Sequence, residues 1–197
     1  MTRILFVCTG NVHRSVLAER LLAARLPPGA ALVPESAGTE AWHRSPMEEA
    51  TRAVLEQLDG NGSGFASRPL TARLVTGAAL VLGLAREHRE AAVRLAPSAL
   101  RRCFTLKEFL RLAGGAGQAP RAVDGFDAVV AAAASRRGAA SPVPSSEDDI
   151  ADPWGRPRQG LYECALDIDG AVTGLVRLWE RSAAAVRHSP SATSSTE

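Results

Sequence analysis

The chain has 197 residues, a net charge of +2 and three cysteines. That length fits one domain with an ample core, and the charge is too small to indicate nucleic acid or a membrane surface as a partner. Three widely spaced cysteines, Cys8, Cys103 and Cys164, point to a reducing compartment rather than a disulfide scaffold, and no metal-type pair occurs among them.

Ile4-Leu5-Phe6-Val7 is an apolar run too short for a helix and predicts a buried strand from about Thr2 to Val7. Its start lacks the length and cleavage site of a signal peptide, and no later run approaches a membrane span, so a cytoplasmic protein is expected. After the loop at Cys8, a helix is predicted from about Arg14 to Leu26, ended by Pro27-Pro28-Gly29. Ala31-Leu32-Val33 predicts a second strand, closing at residues 35–39. Ser45, Pro46 and Glu48 form a capping-box pattern, with Met47, Ala50, Val54 and Leu58 on one face of the helix it would open. Thr71 is placed to cap a short helix to about Val75. Ala79-Leu80-Val81-Leu82 predicts a third strand, Arg86 to Leu95 a helix, Arg102 to Thr105 a fourth strand, and Leu106 to Ala113 a helix.

Gly114 to Pro120 reads as a glycine-rich loop, and Val123 to Arg137 as an alanine-rich helix. An exposed loop over Gly138 to Asp149 delivers Ile150-Ala151-Asp152-Pro153-Trp154-Gly155. Leu161, Ala165, Ile168, Val172, Leu175 and Trp179 then form one apolar stripe of a long helix. Residues 189–197 are Ser/Thr-rich and are expected to be a disordered tail behind a single domain over 1–188. Strands alternating with helices predict an α/β fold: a four-stranded parallel sheet with helices on both faces, a flavodoxin-like three-layer sandwich. Ligands in such sheets bind at the carboxyl ends of the strands, where the first loop sits.

That loop, Cys8-Thr9-Gly10-Asn11-Val12-His13-Arg14-Ser15, carries the chemistry. In a turn from strand to helix, backbone N–H groups point inward and the helix N-terminus adds partial positive charge. Five residues between Cys8 and Arg14 let loop amides ring a tetrahedral anion, and Arg14 offers a planar fork of donors. The same field suits a nucleophilic sulfur at Cys8. Gly10 permits the backbone turn, and Asn11 tolerates a left-handed conformation. Ser15 can donate its hydroxyl to the sulfur. An anion pocket with sulfur at its floor is suited to attack on phosphorus.

Cys8 to Ser15 resembles the signature of the low-molecular-weight protein tyrosine phosphatases. Ser36-Ala37-Gly38-Thr39 with Trp42, Ala79-Leu80-Val81-Leu82 with Arg86-Glu87-His88, and Asp152-Pro153-Trp154 resemble later motifs of that family, in its order. The resemblance implies a metal-free and cofactor-free phosphomonoesterase working through a cysteinyl phosphate. Cys8 is the implied nucleophile. Thr9 to Ser15, with Arg14, are the implied phosphate holders. Asp152 is the implied general acid and base. Asp148 and Asp149 are rival acids; Asp152 is preferred because only it precedes Pro153-Trp154. Trp42 and Trp154 are candidate walls for an aryl leaving group, or plugs under long loops. Trp179 is assigned to the core.

His13 stands where many members carry a second cysteine that traps the oxidised nucleophile. It could lend charge at the pocket edge or point away. His43, His88 and His188 read as surface residues. The expected substrate is a phosphotyrosine protein or a small aryl phosphate. Hydrolysis of a small-molecule phosphate is one alternative; arsenate reduction on the same loop is another, and it would require Cys103 or Cys164 to fold close to Cys8.

Overall fold

The computed structural model describes residues 1–114, 125–139, 141 and 143–187. Four parallel strands form one sheet in the order β2-β1-β3-β4. They are β1 (Thr2–Cys8), β2 (Leu32–Gly38), β3 (Leu80–Gly83) and β4 (Cys103–Thr105). The helices are α1 (Arg14–Arg25), α2 (Glu49–Gln57), α3 (Ala72–Gly77), α4 (Arg86–Leu95), α5 (Leu106–Gly114), α6 (Gly125–Arg136), α7 (Ser145–Asp148) and α8 (Arg158–Arg187). A 3-10 turn at Pro97–Arg102 leads into β4.

Strand alternation splits the core in two. Ile4, Phe6, Leu80, Leu82 and Phe104 face α1, α5, α6 and α8. Leu5, Val7, Val81 and Cys103 face α3, α4 and the 3-10 turn. Each fully buried Leu or Phe contributes about 1.5–3 kcal/mol relative to exposure. Both sheet faces are covered, so the central strands β1, from Ile4, and β3 read as continuous apolar runs rather than alternating ones, whereas the edge strand β2 carries Pro34, Glu35 and Ser36. The three-layer α/β expectation holds. Trp179 packs half-buried against the larger core. No described helix is long and apolar enough to cross a membrane.

Two elements differ from the sequence reading. The capping box at Ser45 does not form: Ser45 N donates to Ser67 Oγ and Ser67 N donates to Ser45 O. This tie to the Ser67 segment holds residues 45–48 out of the helix, and α2 begins at Glu49 without a side-chain cap. The second strand runs to Gly38 because β2 pairs with β1 along the whole length of β1, Thr2 to Cys8. Thr71, by contrast, caps α3 as expected, its Oγ1 accepting from Leu74 N at 3.3 Å. The glycine-rich stretch at residues 115–120, the start of the alanine-rich helix, His188 and the tail over residues 189–197 lie outside the described residues.

Candidate active site

β1 ends at Cys8, and residues 9–13 turn the chain into α1 at the carboxyl edge of the sheet. The loop carbonyls are tied away from its mouth: Thr39 N donates to Cys8 O and Glu40 N to Thr9 O, both at 2.9 Å. Asn11, rather than Gly10, takes the left-handed conformation, with φ 51°. Gly38 allows the loop to approach β2: a Cβ there would stand 2.5 Å from Thr9 O and 2.7 Å from Asn11 N.

Asn11 and Ser15 are fully buried and act from behind the loop. Asn11 Nδ2 donates to Ser15 Oγ at 3.0 Å and to Ser36 Oγ at 2.9 Å, while its Oδ1 accepts from Arg68 N. Ser15 Oγ accepts from Asn11 and lies 3.0 Å from Cys8 Sγ, within hydrogen-bond reach of the sulfur. Ser36 passes its hydrogen to Glu19 Oε2. Burial raises the Glu19 carboxyl above the ordinary range, against the lowering effect of the Ser36 hydroxyl.

Cys8, Thr9, Gly10, Val12, His13 and Arg14 line a cleft of about 350 Å³ with Trp42, Asp152 and Trp154, and Glu40 stands at its edge. Trp42 and Trp154 are 82% and 72% exposed, so they wall the cleft and do not plug the core. Arg14 is buried; its Nη2 donates to Asp152 Oδ2 at 2.6 Å and its Nη1 to Ile150 O at 3.4 Å. Asp152 Oδ1 accepts from Trp154 N, a local turn that the Asp-Pro-Trp sequence favours.

The rival acids are occupied elsewhere. Asp148 is buried and paired with Arg111 Nη2 at 3.0 Å and Arg86 Nη2 at 3.4 Å. Asp149 Oδ1 accepts from Arg86 N at the start of α4. With Ile150 N donating to Leu84 O just past β3, three successive residues are fixed, to α5, to α4 and to the end of β3, shortly before Asp152.

His13 turns toward α2. Its Nδ1 lies 2.6 Å from Thr51 Oγ1 and its Nε2 3.1 Å from Glu48 Oε2, with the ring 5.9 Å from that of Trp154. Burial lowers its pKa, with the Glu48 charge opposing.

His88 was expected on the surface and is instead buried, with Nε2 3.0 Å from Thr9 Oγ1. Nδ1 is buried without a partner in the described structure. The proton is therefore placed on Nε2, donating to Thr9, which leaves no N–H unpaired. Burial, then the Arg14 charge, pushes this imidazole down to about 4. The signal was present in the sequence: His88 and Ala92 sit one turn apart and form the buried face of α4. Glu19 and Ser36 left no comparable trace. His43 is exposed, as expected.

Cys103 and Cys164 are free and buried, and burial pushes their thiols up to about 11 and about 12. Cys103 lies in the core on the opposite face of the sheet, whereas Cys164 shares the core of Cys8.

Residues 3–120 match the family model of the low molecular weight phosphotyrosine protein phosphatases. A low molecular weight protein-tyrosine-phosphatase of Streptomyces coelicolor is 30% identical over 178 residues, 88% of this chain and 91% of that protein. A protein-arginine-phosphatase of Geobacillus stearothermophilus is 30% identical over 165 residues, 84% and 86% of the two chains. The solved structure of the arginine phosphatase YwlE from Geobacillus stearothermophilus superposes with TM-score 0.69 at 25% identity, covering 96% of this chain and 99% of that one. A low molecular weight protein tyrosine phosphatase from T. tengcongensis gives TM-score 0.68 at 26% identity, covering 90% and 99%. The likeness runs through both the strand–loop–helix and the sheet that carries it, and the chain belongs to the low molecular weight protein tyrosine phosphatase family.

Proposed function

We propose that the chain hydrolyses phosphotyrosine in proteins, or a small aryl phosphate, with Cys8 as nucleophile and Asp152 as general acid and base. The observation that most supports this is the meeting of Cys8, Arg14 and Asp152 in one cleft, with Arg14 bonded to Asp152 at 2.6 Å. Cys8 Sγ attacks phosphorus while Arg14 and the amides of residues 9–15 hold the equatorial oxygens. The bond from phosphorus to the ester oxygen breaks, and Asp152 gives that oxygen its proton. Asp152, now a carboxylate, takes a proton from water as the water oxygen attacks phosphorus. The S–P bond breaks, inorganic phosphate forms, Cys8 leaves as a thiolate and the Ser15 hydroxyl donates a hydrogen bond to it. Charge placed in advance supplies most of the rate in such transfers. Trp42 and Trp154, with Val12, offer flat and apolar surface to an aryl group.

One observation favours a second substrate. Glu40 places a carboxylate at the cleft edge, where the guanidinium of a phosphoarginine would be paired. Relative rates on phosphotyrosine and phosphoarginine separate the two, and Glu40→Gln should slow only the latter. Arsenate reduction is disfavoured: both candidate relay thiols are buried and pushed toward the protonated form. A cytoplasmic enzyme, with its catalytic domain over residues 1–188, fits three free thiols.

The deciding experiment compares aryl and alkyl phosphate hydrolysis by wild type, Cys8→Ser and Asp152→Ala. Near-total loss is expected for Cys8→Ser. Asp152→Ala should lose more activity as the leaving group worsens. Unchanged turnover in Cys8→Ser would end this reading.

A further inference from the structure

A second cavity, of about 490 Å³, adjoins the cleft, and His13 and Trp154 line both. On the far side of the Trp154 indole it is bounded by Pro153, Leu161 and the start of α8, and edged by Arg156 and Arg158. Neither arginine has a side-chain partner among the described residues, whereas Arg14, Arg86, Arg111 and Arg137 are all paired. Glu48 also borders this cavity, but its Oε2 is engaged by His13. The Arg156 stem lies close to Gly160, where an added Cβ would be 3.1 Å from Arg156 Cβ. The cavity thus carries two cations without an ion-pair partner and one carboxylate, Glu48, beside a wall it shares with the phosphate cleft.

We propose that this cavity seats a residue flanking the phosphorylated one in a protein substrate, and that Arg156 and Arg158 select an acidic side chain there. The inference rests on the phosphatase reading above and extends it to a substrate class, an acidic phosphoprotein segment. An extended chain advances about 3.3–3.6 Å per residue, so a residue one or two places from the phosphorylated one crosses the indole. A small aryl phosphate has nothing to place beyond Trp154. Opposite charges at an exposed rim act mainly on encounter and register, and each pair is modest in water.

The test measures kcat/KM on p-nitrophenyl phosphate and on two phosphotyrosyl peptides that differ only in carrying Asp or Lys at the flanking positions. Wild type should prefer the acidic peptide by about three- to tenfold, with the preference lost in 0.5 M salt. The doubly reversed variant, Arg156→Glu with Arg158→Glu, should prefer the basic peptide and keep the wild-type rate on p-nitrophenyl phosphate. Both residues are exposed, and that unchanged rate reports intact folding. Turnover of p-nitrophenyl phosphate without an acidic preference, a preference that survives the reversal, or turnover of neither peptide would overturn this inference alone. Failure to hydrolyse p-nitrophenyl phosphate would overturn the phosphatase reading and this inference with it.

Discussion

Arg14 and Asp152, 138 positions apart in the chain, are joined by a bond of 2.6 Å from Nη2 to Oδ2. The residue that would grip phosphate therefore also sets where the acid stands. Asp152→Asn keeps an oxygen for Arg14 but has no proton to give. Its rate on an alkyl phosphate should fall by about 10²–10⁴, with a smaller fall on p-nitrophenyl phosphate, whose leaving oxygen needs little help. Steady-state kinetics over a series of leaving groups checks this. A uniform loss across the series would assign Asp152 a structural role.

Asn11 holds a left-handed turn and three hydrogen bonds in a fully buried position. Asn11→Gly keeps the turn and loses the bonds; Asn11→Ala loses both. Each unsatisfied buried partner costs about 1–3 kcal/mol. Both variants should lose stability in urea titrations, Asn11→Ala by more. Both should lower kcat, because Ser15 is no longer oriented toward Cys8.

His88 makes folding sensitive to acid. Its pKa is pushed down to about 4 in the fold, while an unfolded chain takes up that proton near 6.5. Between those values the unfolded state binds more protons, so stability falls as pH drops through the window. From pH 7 to pH 5 the wild type should lose about 2 kcal/mol more than His88→Gln. Urea unfolding of both proteins at the two pH values measures the difference, and equal losses would place the sensitivity elsewhere.

Asp148, four residues before Asp152, acts on the reaction through placement. Arg111 on α5 and Arg86 on α4 hold its carboxylate, and the loop that ends at Asp152 starts from this fixed point. Arg111→Gln should lower kcat on an alkyl phosphate about ten- to hundredfold through misplacement of the acid. It should leave KM and the rate on p-nitrophenyl phosphate much less affected. A rise in KM with kcat unchanged would count against it.

His13 bears on oxidation. The loop offers no second thiol to a sulfenic acid at Cys8, and burial keeps Cys164 protonated. Excess peroxide should therefore carry Cys8 past the stage that thiols reverse. Dithiothreitol should restore little activity to the wild type and much more to His13→Cys. Full recovery of the wild type would show that another thiol protects Cys8.

Much of this site was readable because its parts are local. Cys8 to Ser15 is one turn between a strand and a helix, and its residue types state the chemistry without long-range contacts. Asp152 could be chosen over Asp148 and Asp149 only through the Pro-Trp that follows it. In the fold, the other two are held by Arg111 and by the start of α4. His88 sits on a charged helix, and only its one-turn spacing from Ala92 marks a buried face; its partner Thr9 is brought to it by the sheet. The Ser36–Glu19 support was invisible for the same reason: β2 and α1 meet only in the folded chain. The Ser45 capping box failed because a local motif lost to a tertiary one, the bonds to Ser67.

The distance in sequence between Arg14 and Asp152 has a consequence for biosynthesis. A growing chain releases the sulfur and its arginine first, and the acid only after β3 and β4 have been made. The helix that covers α1, α8, comes later still. A ribosome-bound fragment ending before residue 152 has a nucleophile with no proton donor, on a helix whose apolar side has no lid. On the proposed roles, acid-assisted turnover of poor leaving groups thus awaits synthesis of nearly the whole domain.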